Sequence, residues 1–268
     1  MNGQTTFGPT AYRIKEYLSE GKRFDGRKPD EFREIIIEKN VSKKAEGSVK
    51  VKIGKTEVIV GVKMDVGEPY PDSLDKGNLM VTAELLPLSS ERFENGPPKF
   101  PAIELGRIID RCIRESKFIQ FEKLCIKEGE KVWNVFVDIY SINDDGNLLD
   151  AAGIGAVTAL KLAKIPHYDE KTGKIDYEVA PAKKLPLEKD APLSITYYKV
   201  GGTLIVDPTR EEEDLSSTRV TIGRTDEIIS SIQKGESESL EIDELKELID
   251  MSENVAKKVA QKIEKDLK

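Results

Sequence analysis

The sequence has one histidine and two cysteines among its 268 residues. A Ser-His-Asp or Cys-His nucleophile system would have to rest on that one imidazole, His167, whose neighbours Ile165, Pro166 and Tyr168 read as a helix running out into a loop. Cys112 and Cys125 fall within apolar periodicity and not in a metal-type pair, which predicts buried free thiols and neither a zinc site nor a disulfide framework. No apolar run approaches the roughly 20 residues of a membrane span. The start MNGQTTFGPT lacks the charged-then-apolar pattern of a signal peptide. The expectation is a cytoplasmic protein that makes no membrane contact. Overall positive charge is missing too: 42 Lys and Arg against 49 Asp and Glu leave a formal charge of −7, so any binding to a polyanion must come from local clusters.

What is present is a globular composition, 38% hydrophobic and 34% charged, enough for one large domain or two modest ones. PTAYRIKEYLSE reads as a short amphipathic helix closed by Gly21, and KRFDGRKPDE as a polar arm. EFREIIIEKN and GSVKVKIGKTEVIVGVKMDV alternate as strands with a turn at Gly54-Lys55. LMVTAELLPL and WNVFVDIYSI are further strands, and two long loops, GEPYPDSLDKGN and SSERFENGPPKFP, are of the kind that contacts partners. LLDAAGIGAVTALKLAKI is a helix rich in Ala and Gly. Its Gly153-Ile154-Gly155 lies inside the helix and lacks the spacing of a nucleotide-binding loop. After a Lys-, Pro- and Asp-rich stretch come strands around Gly201-Gly202, the strand TRVTIG, and a long C-terminal helix with Leu245, Leu248, Ile249, Val255, Val259 and Ile263 on one face. The chain thus divides into an N-terminal helix and arm (1–30), a first half (31–167), a connecting segment (168–192) and a second half (193–268).

The segment ELGRIIDRCIRESK concentrates charge against the acidic background. At roughly 100° per residue, Leu105, Ile108, Ile109, Cys112 and Ile113 gather on one side, and Arg107, Arg111 and Arg114 fall within about 60° on the other. Asp110 with Arg114 and Arg111 with Glu115 have the i,i+4 spacing of exposed helix ion pairs. The stripe is therefore either a solvated helix face or a phosphate-binding one.

Five stretches in order, Arg23-Phe24-Asp25-Gly26-Arg27, GEPYPDSLDKGNLMVTAELLPL, AIELGRIIDRCIRESK, VWNVFVDIYSINDDGNLLDAAGIGAVTAL and VDPTREEEDL, resemble the ribonuclease PH family. Within it they are most similar to the non-catalytic ring subunits of the archaeal exosome. The resemblance runs from about residue 10 to the C-terminus. It implies an α/β (α+β) fold of two ββαβα-type halves with mixed sheets and packed helices. It also implies a hexameric ring in which three copies alternate with three of a catalytic relative, beneath RNA-binding cap subunits. Active relatives degrade RNA from its 3′ end with inorganic phosphate as nucleophile. By resemblance, Arg107 and Arg111 bind single-stranded RNA beside the catalytic neighbour, and Arg114 extends that face by one turn.

Two departures from the family pattern bear on activity. Active relatives grip phosphate with a Gly-Ser/Thr-Arg element at the start of the helix after the central strand, where N–H groups and a guanidinium suit an anion. Here the turn reads Asp145-Gly146-Asn147-Leu148-Leu149-Asp150, with no hydroxyl or arginine, and Asp144, Asp145 and Asp150 are expected to repel the anion. Active relatives also place two aspartates six residues apart for metal binding and acid work. Asp214 matches the first, but Val220 stands at the second and Arg219 just before it. The expectation is a chain with no catalytic residues, metal or cofactor of its own, which orders a neighbour's active site. A phosphorolytic exoribonuclease with a degenerate working site, and a purely architectural spacer, are the alternatives. Glu211, Glu212, Glu213 and Asp214 read as a solvated acidic turn or a vestigial metal site. Arg23, Asp25 and Arg27 read as structural, and Lys43, Lys44, Lys50, Lys52 and Lys55 as exposed strand faces.

Overall fold

The computed structural model describes residues 8–181, 183–226 and 228–267. Residues 1–7, part of the start read above for a signal peptide, lie outside the described residues. In chain order the elements are α1 (Gly8–Ser19), β1 (Ile35–Lys39), β2 (Gly47–Ile53), β3 (Thr56–Gly67), β4 (Asn78–Glu84), α2 (Phe100–Glu115), β5 (Cys125–Lys127), β6 (Lys131–Asn143) and α3 (Leu148–Leu162). The short strands β7 (Lys164–Ile165), β8 (His167–Asp169), β9 (Lys174–Asp176) and β10 (Lys183–Lys184) follow. The second half comprises β11 (Leu193–Val200), β12 (Thr203–Val206), α4 (Arg210–Asp214), β13 (Ser216–Arg224), β14 (Ile229–Gly235) and α5 (Ile242–Leu267).

The first sheet runs β1-β2-β3-β6-β4, with β5 also on β6. It is mixed, because β6 pairs antiparallel with β3 and parallel with β4. Val58, Val60, Val62 and Met64 of β3 alternate inward as the period-2 pattern dictates. Gly54 takes φ +57° in the two-residue turn between β2 and β3. The second sheet, β12-β11-β13-β14, is antiparallel. Its first hairpin turns on Gly201 and Gly202, both at positive φ as a primed two-residue turn requires.

α3 is the keystone. Every residue from Leu148 to Leu160 is buried, the mark of a helix enclosed on all sides. Gly153 lies against Ser194 of β11, while a Cβ on Gly155 would come within 2.6 Å of Val60 in β3. Two residues along a helix point about 200° apart, so the glycines let the backbone approach both sheets at once. This is the packing role of Gly153-Ile154-Gly155, and it joins the two halves into a main core containing residues of both. Adjacent residues of β11 face opposite ways, Tyr197 into that core and Tyr198 into a smaller cluster with Ile14 and Leu18 of α1.

The ββαβα pattern gains strands. β14 is absent from the sequence reading because IISSIQKG places Ser230 and Ser231 where strand alternation would need one apolar residue, and as an edge strand it needs little burial. Segment 168–192 holds most of the small hairpin β8–β9 and strand β10, too short to show a period. Cys112 is buried, with its thiol pushed up to about 12 by burial, whereas Cys125 is only half-buried in β5. Both are free. Among the described residues no helix is long and apolar enough to cross a membrane.

Candidate nucleic-acid interface

α2 starts at a proline-bearing first turn, which needs no N–H there, and buries Ala102, Leu105, Gly106, Ile108, Ile109, Cys112 and Ile113. It lies close on β4, since a Cβ on Gly106 would sit 3.0 Å from the Val81 carbonyl oxygen. Arg107, Arg111 and Arg114 are all exposed on the opposite face, as the periodicity requires. They are not equivalent. Arg114 donates to Asp110 through Nη2 at 2.7 Å and Nε at 3.1 Å, reaches the Leu79 carbonyl at 3.1 Å, and lies 5.9 Å from the Phe121 ring centroid. Arg107 and Arg111 make no hydrogen bond or ion pair among the described residues, and the expected Arg111–Glu115 pair is not formed. Two cations without counter-charge therefore project from a rigid helix. Toward its start the same face carries Ile103 and Phe100, 50% and 73% exposed.

The turn before α3 is built differently from a solvated acidic loop. Gly146 (φ +86°) and Asn147 (φ +61°) are both left-handed, which brings the turn against α4: a Cβ on Gly146 would lie 2.6 Å from the Pro208 oxygen. Thr56 donates to the Gly146 carbonyl at 2.6 Å. The Asn147 N–H donates to Glu213 at 2.6 Å and the Gly146 N–H to Asp144 at 3.2 Å. Arg92 pairs with Asp144 and stands 4.0 Å from Glu213, and Arg210 stands 3.9 Å from Asp144 and 2.6 Å from Asp214. Burial, the largest influence, raises the Glu213 pKa above the usual glutamate range.

Several expectations change here. The solvated-turn reading of Glu211–Asp214 holds only for Glu211, which is exposed. Glu212 is buried, closes a capping box with Thr209 and pairs with Arg23, because α4 is folded onto the arm. Asp145 pairs with Arg33 at 3.3 Å. Asp150 is buried against the second sheet, accepting from the Thr196 hydroxyl at 2.7 Å, the Thr196 N–H at 3.2 Å and Asn147 at 3.1 Å. The anion-repelling reading of Asp150 is thus replaced by an internal role. The carboxylate pair that active relatives use for a divalent cation does not fit this chain: Val220, six residues after Asp214, is 2% exposed in the core and Arg219 is paired with Glu104 at 2.6 Å. Arg23 and Arg27 bind body carboxylates, and Asp25 accepts from the Arg27 N–H at 3.1 Å, as their structural reading required. Lys50 and Lys52 are tied to Glu38 and Glu57, leaving Lys43, Lys44 and Lys55 exposed. Sequence reasoning missed Arg33, Arg92, Asp207 and Arg210, whose partners lie up to 180 residues away with no spacing to signal them.

Burial pushes Asp150 up to about 7, against the hydrogen bonds of Thr196 and Asn147 and with help from Asp207. A carboxyl raised in the fold stabilises it fully below its unfolded value near 3.8 and loses that contribution as pH rises toward 7. Urea unfolding of the wild type is therefore expected to lose on the order of 4 kcal/mol relative to Asp150→Asn between pH 4 and pH 7. Parallel pH profiles for the two proteins would refute the assignment.

The domain-1 model of the 3′ exoribonuclease family (ribonuclease PH) matches residues 31–166, and the domain-2 model residues 190–255. Exosome complex component Rrp42 of Thermococcus onnurineus is 46% identical over 258 residues, 93% of this chain and 92% of that protein. Its counterpart in Archaeoglobus fulgidus is 47% identical over 246 residues, 91% and 92% of the two chains. A chain of the Archaeoglobus fulgidus exosome, solved with RNA bound to the active site, superposes with a TM-score of 0.87 at 45% identity, covering 94% of this chain and 96% of that one. An archaeal exosome core gives 0.83 at 42% identity, covering 95% and 96%. With two family domains in order, near-complete coverage and the same fold, the chain belongs to the ribonuclease PH family of 3′ exoribonucleases.

Proposed function

We propose that this chain is a non-catalytic, RNA-binding subunit of an archaeal-type exosome, working in the cytoplasm in a ring of three copies alternating with three of a catalytic ribonuclease-PH-like subunit, with RNA-binding caps above. The observation that carries this reading is the contrast between two places on one molecule. Arg107 and Arg111 stand exposed and unpaired among the described residues, while the turn at the start of α3 holds carboxylates where an anion would have to bind. A strand degraded without regard to sequence is held by its phosphates, and guanidinium forks suit them. At a screening length of roughly 8–10 Å the local pair outweighs a distant net charge of −7. The names of the relatives, and the RNA in one solved neighbour, support the assembly.

Native mass of this chain mixed with its catalytic relative, followed by incubation with phosphate, a divalent cation and single-stranded RNA, tests the reading. The expected result is a mixed hexamer that releases nucleoside diphosphates and an isolated chain that releases none. Release by the isolated chain at a rate near the hexamer's would overturn it.

A further inference from the structure

Lysines gather at the carboxyl end of α3. Gly47 brings the start of β2 against that end, since a Cβ there would lie 2.3 Å from the Ala159 carbonyl oxygen and 2.8 Å from the Ala163 nitrogen. The Lys164 N–H donates to the Glu46 carbonyl at 3.3 Å, so the loop between β1 and β2 abuts β7. β10 pairs antiparallel with β7 and sets Lys184 directly opposite Lys164, with Lys183 next in the ladder. Three segments far apart in the chain thus bring Lys43, Lys44, Lys164, Lys183 and Lys184 together. All five are exposed, and none forms an ion pair among the described residues. Glu46, the carboxylate within the loop, is taken up by Lys63 at 2.6 Å and the Met64 N–H at 3.1 Å. Lys63 also donates to the Lys44 carbonyl at 3.0 Å and stands 4.8 Å from the ring centroid of Tyr177, which is 63% exposed.

Like charges directly opposite each other destabilise a strand pair, and a protein with a net charge of −7 has carboxylates enough to neutralise them. The negative end of α3 favours a cation, but it does not account for two lysines facing each other across a ladder. We propose that this cluster is a second contact for single-stranded RNA, the lysines holding phosphates and the Tyr177 ring stacking on a base. Cations beside an exposed aromatic ring are the combination that binds single strands without regard to sequence; an acidic peptide would use the lysines alone. The cluster is separate from the sites described above. α3 is about 22 Å long from its carboxylate-filled turn to this end, and β2 lies three strands, about 14 Å, from the β4 on which α2 packs. The inference rests on the proposed function only in taking RNA as the ligand.

In the assembled ring, Lys164→Gln/Lys184→Gln is expected to weaken single-stranded RNA binding roughly 20-fold near 0.1 M salt and to flatten the slope of log affinity against log salt by about 1.4. Removing facing like charges leaves the backbone bonds of the ladder in place, so the variant should unfold at or above the wild-type Tm. Added to Arg107→Glu/Arg111→Glu, the lysine changes should weaken binding by the same factor again, because separate contacts add. A folded lysine variant with wild-type affinity and slope overturns the inference. So does unchanged RNA affinity with loss of the ring, which would assign the cluster to a protein neighbour. A fall with the lysine variant while the α2 variant binds as wild type would sink the α2 reading and uphold the cluster. Should the lysine variant not assemble, the same titration on the isolated full chain decides: the same loss upholds the contact and its absence refutes it.

Discussion

Replacing Asp207 by alanine is expected to lower unfolding free energy by about 3–5 kcal/mol and Tm by roughly 10 °C, the largest single-residue loss in the first-to-second-half junction. Its side chain is 0% exposed. Oδ2 accepts from Arg27 Nη1 at 2.9 Å, the Arg33 N–H at 2.7 Å and Arg33 Nε at 2.9 Å; Oδ1 accepts from Arg33 Nη2 at 2.7 Å and Asn147 Nδ2 at 3.0 Å. Truncation leaves two largely buried guanidinium groups short of counter-charge, and an unpaired buried ion costs far more than the pair contributes. The backbone there is left-handed, φ +44°, which by itself costs an alanine about 1–2 kcal/mol. Asp207→Asn separates the effects, because asparagine tolerates that conformation but supplies one acceptor oxygen and no charge; it should still lose more than about 2 kcal/mol. Asp25→Ala, at the exposed end of the Arg27 pair, should change stability by less than about 1 kcal/mol. Equilibrium urea unfolding measures all three. An Asp207→Ala protein within 1 kcal/mol of wild type would remove the junction from the account of stability.

In the assembled ring, Arg107→Glu/Arg111→Glu is expected to weaken single-stranded RNA binding about 100-fold near 0.1 M salt and to flatten the slope of log affinity against log salt by roughly 1.4, two phosphate contacts at about 0.7 each. Reversal replaces attraction by repulsion on a helix face with no nearby carboxylate bound to either residue, so the effect falls on the ligand. Arg114→Glu should do less, since Asp110 already offsets that charge. The readout is a salt series of RNA titrations on complexes whose native mass confirms the ring. Unchanged affinity and slope with the ring intact would leave the chain as an architectural spacer.

The arginine face was legible because α2 is amphipathic: a 3.6-residue period sorts Leu105, Ile109 and Ile113 from Arg107 and Arg111 without knowledge of anything else in the fold. Gly153 and Gly155 showed close packing, though not that two different sheets approach α3. Arg114 looked like its neighbours in the stripe; its pairing with Asp110 had the right spacing, but its contact with Leu79 depends on where β4 lies. The acidic run at Glu211–Asp214 misled because local composition carries no record of the arm, 189 residues earlier, whose Arg23 reaches Glu212.

By itself the sequence determined the helical stripe, the main strands, the missing hydroxyl and arginine at Asp145-Gly146-Asn147, and the loss of the second carboxylate at Val220. Those are properties of single segments, written in periods of two and 3.6 and in residue type. Tertiary structure alone decided which charges are free. It gave Asp144 to Arg92, Asp207 to Arg27 and Arg33, and Glu213 to the Asn147 amide, and left Arg107 and Arg111 unpaired among the described residues. Ion pairing depends on distances of a few ångströms between groups remote in the chain, and no local pattern encodes those distances.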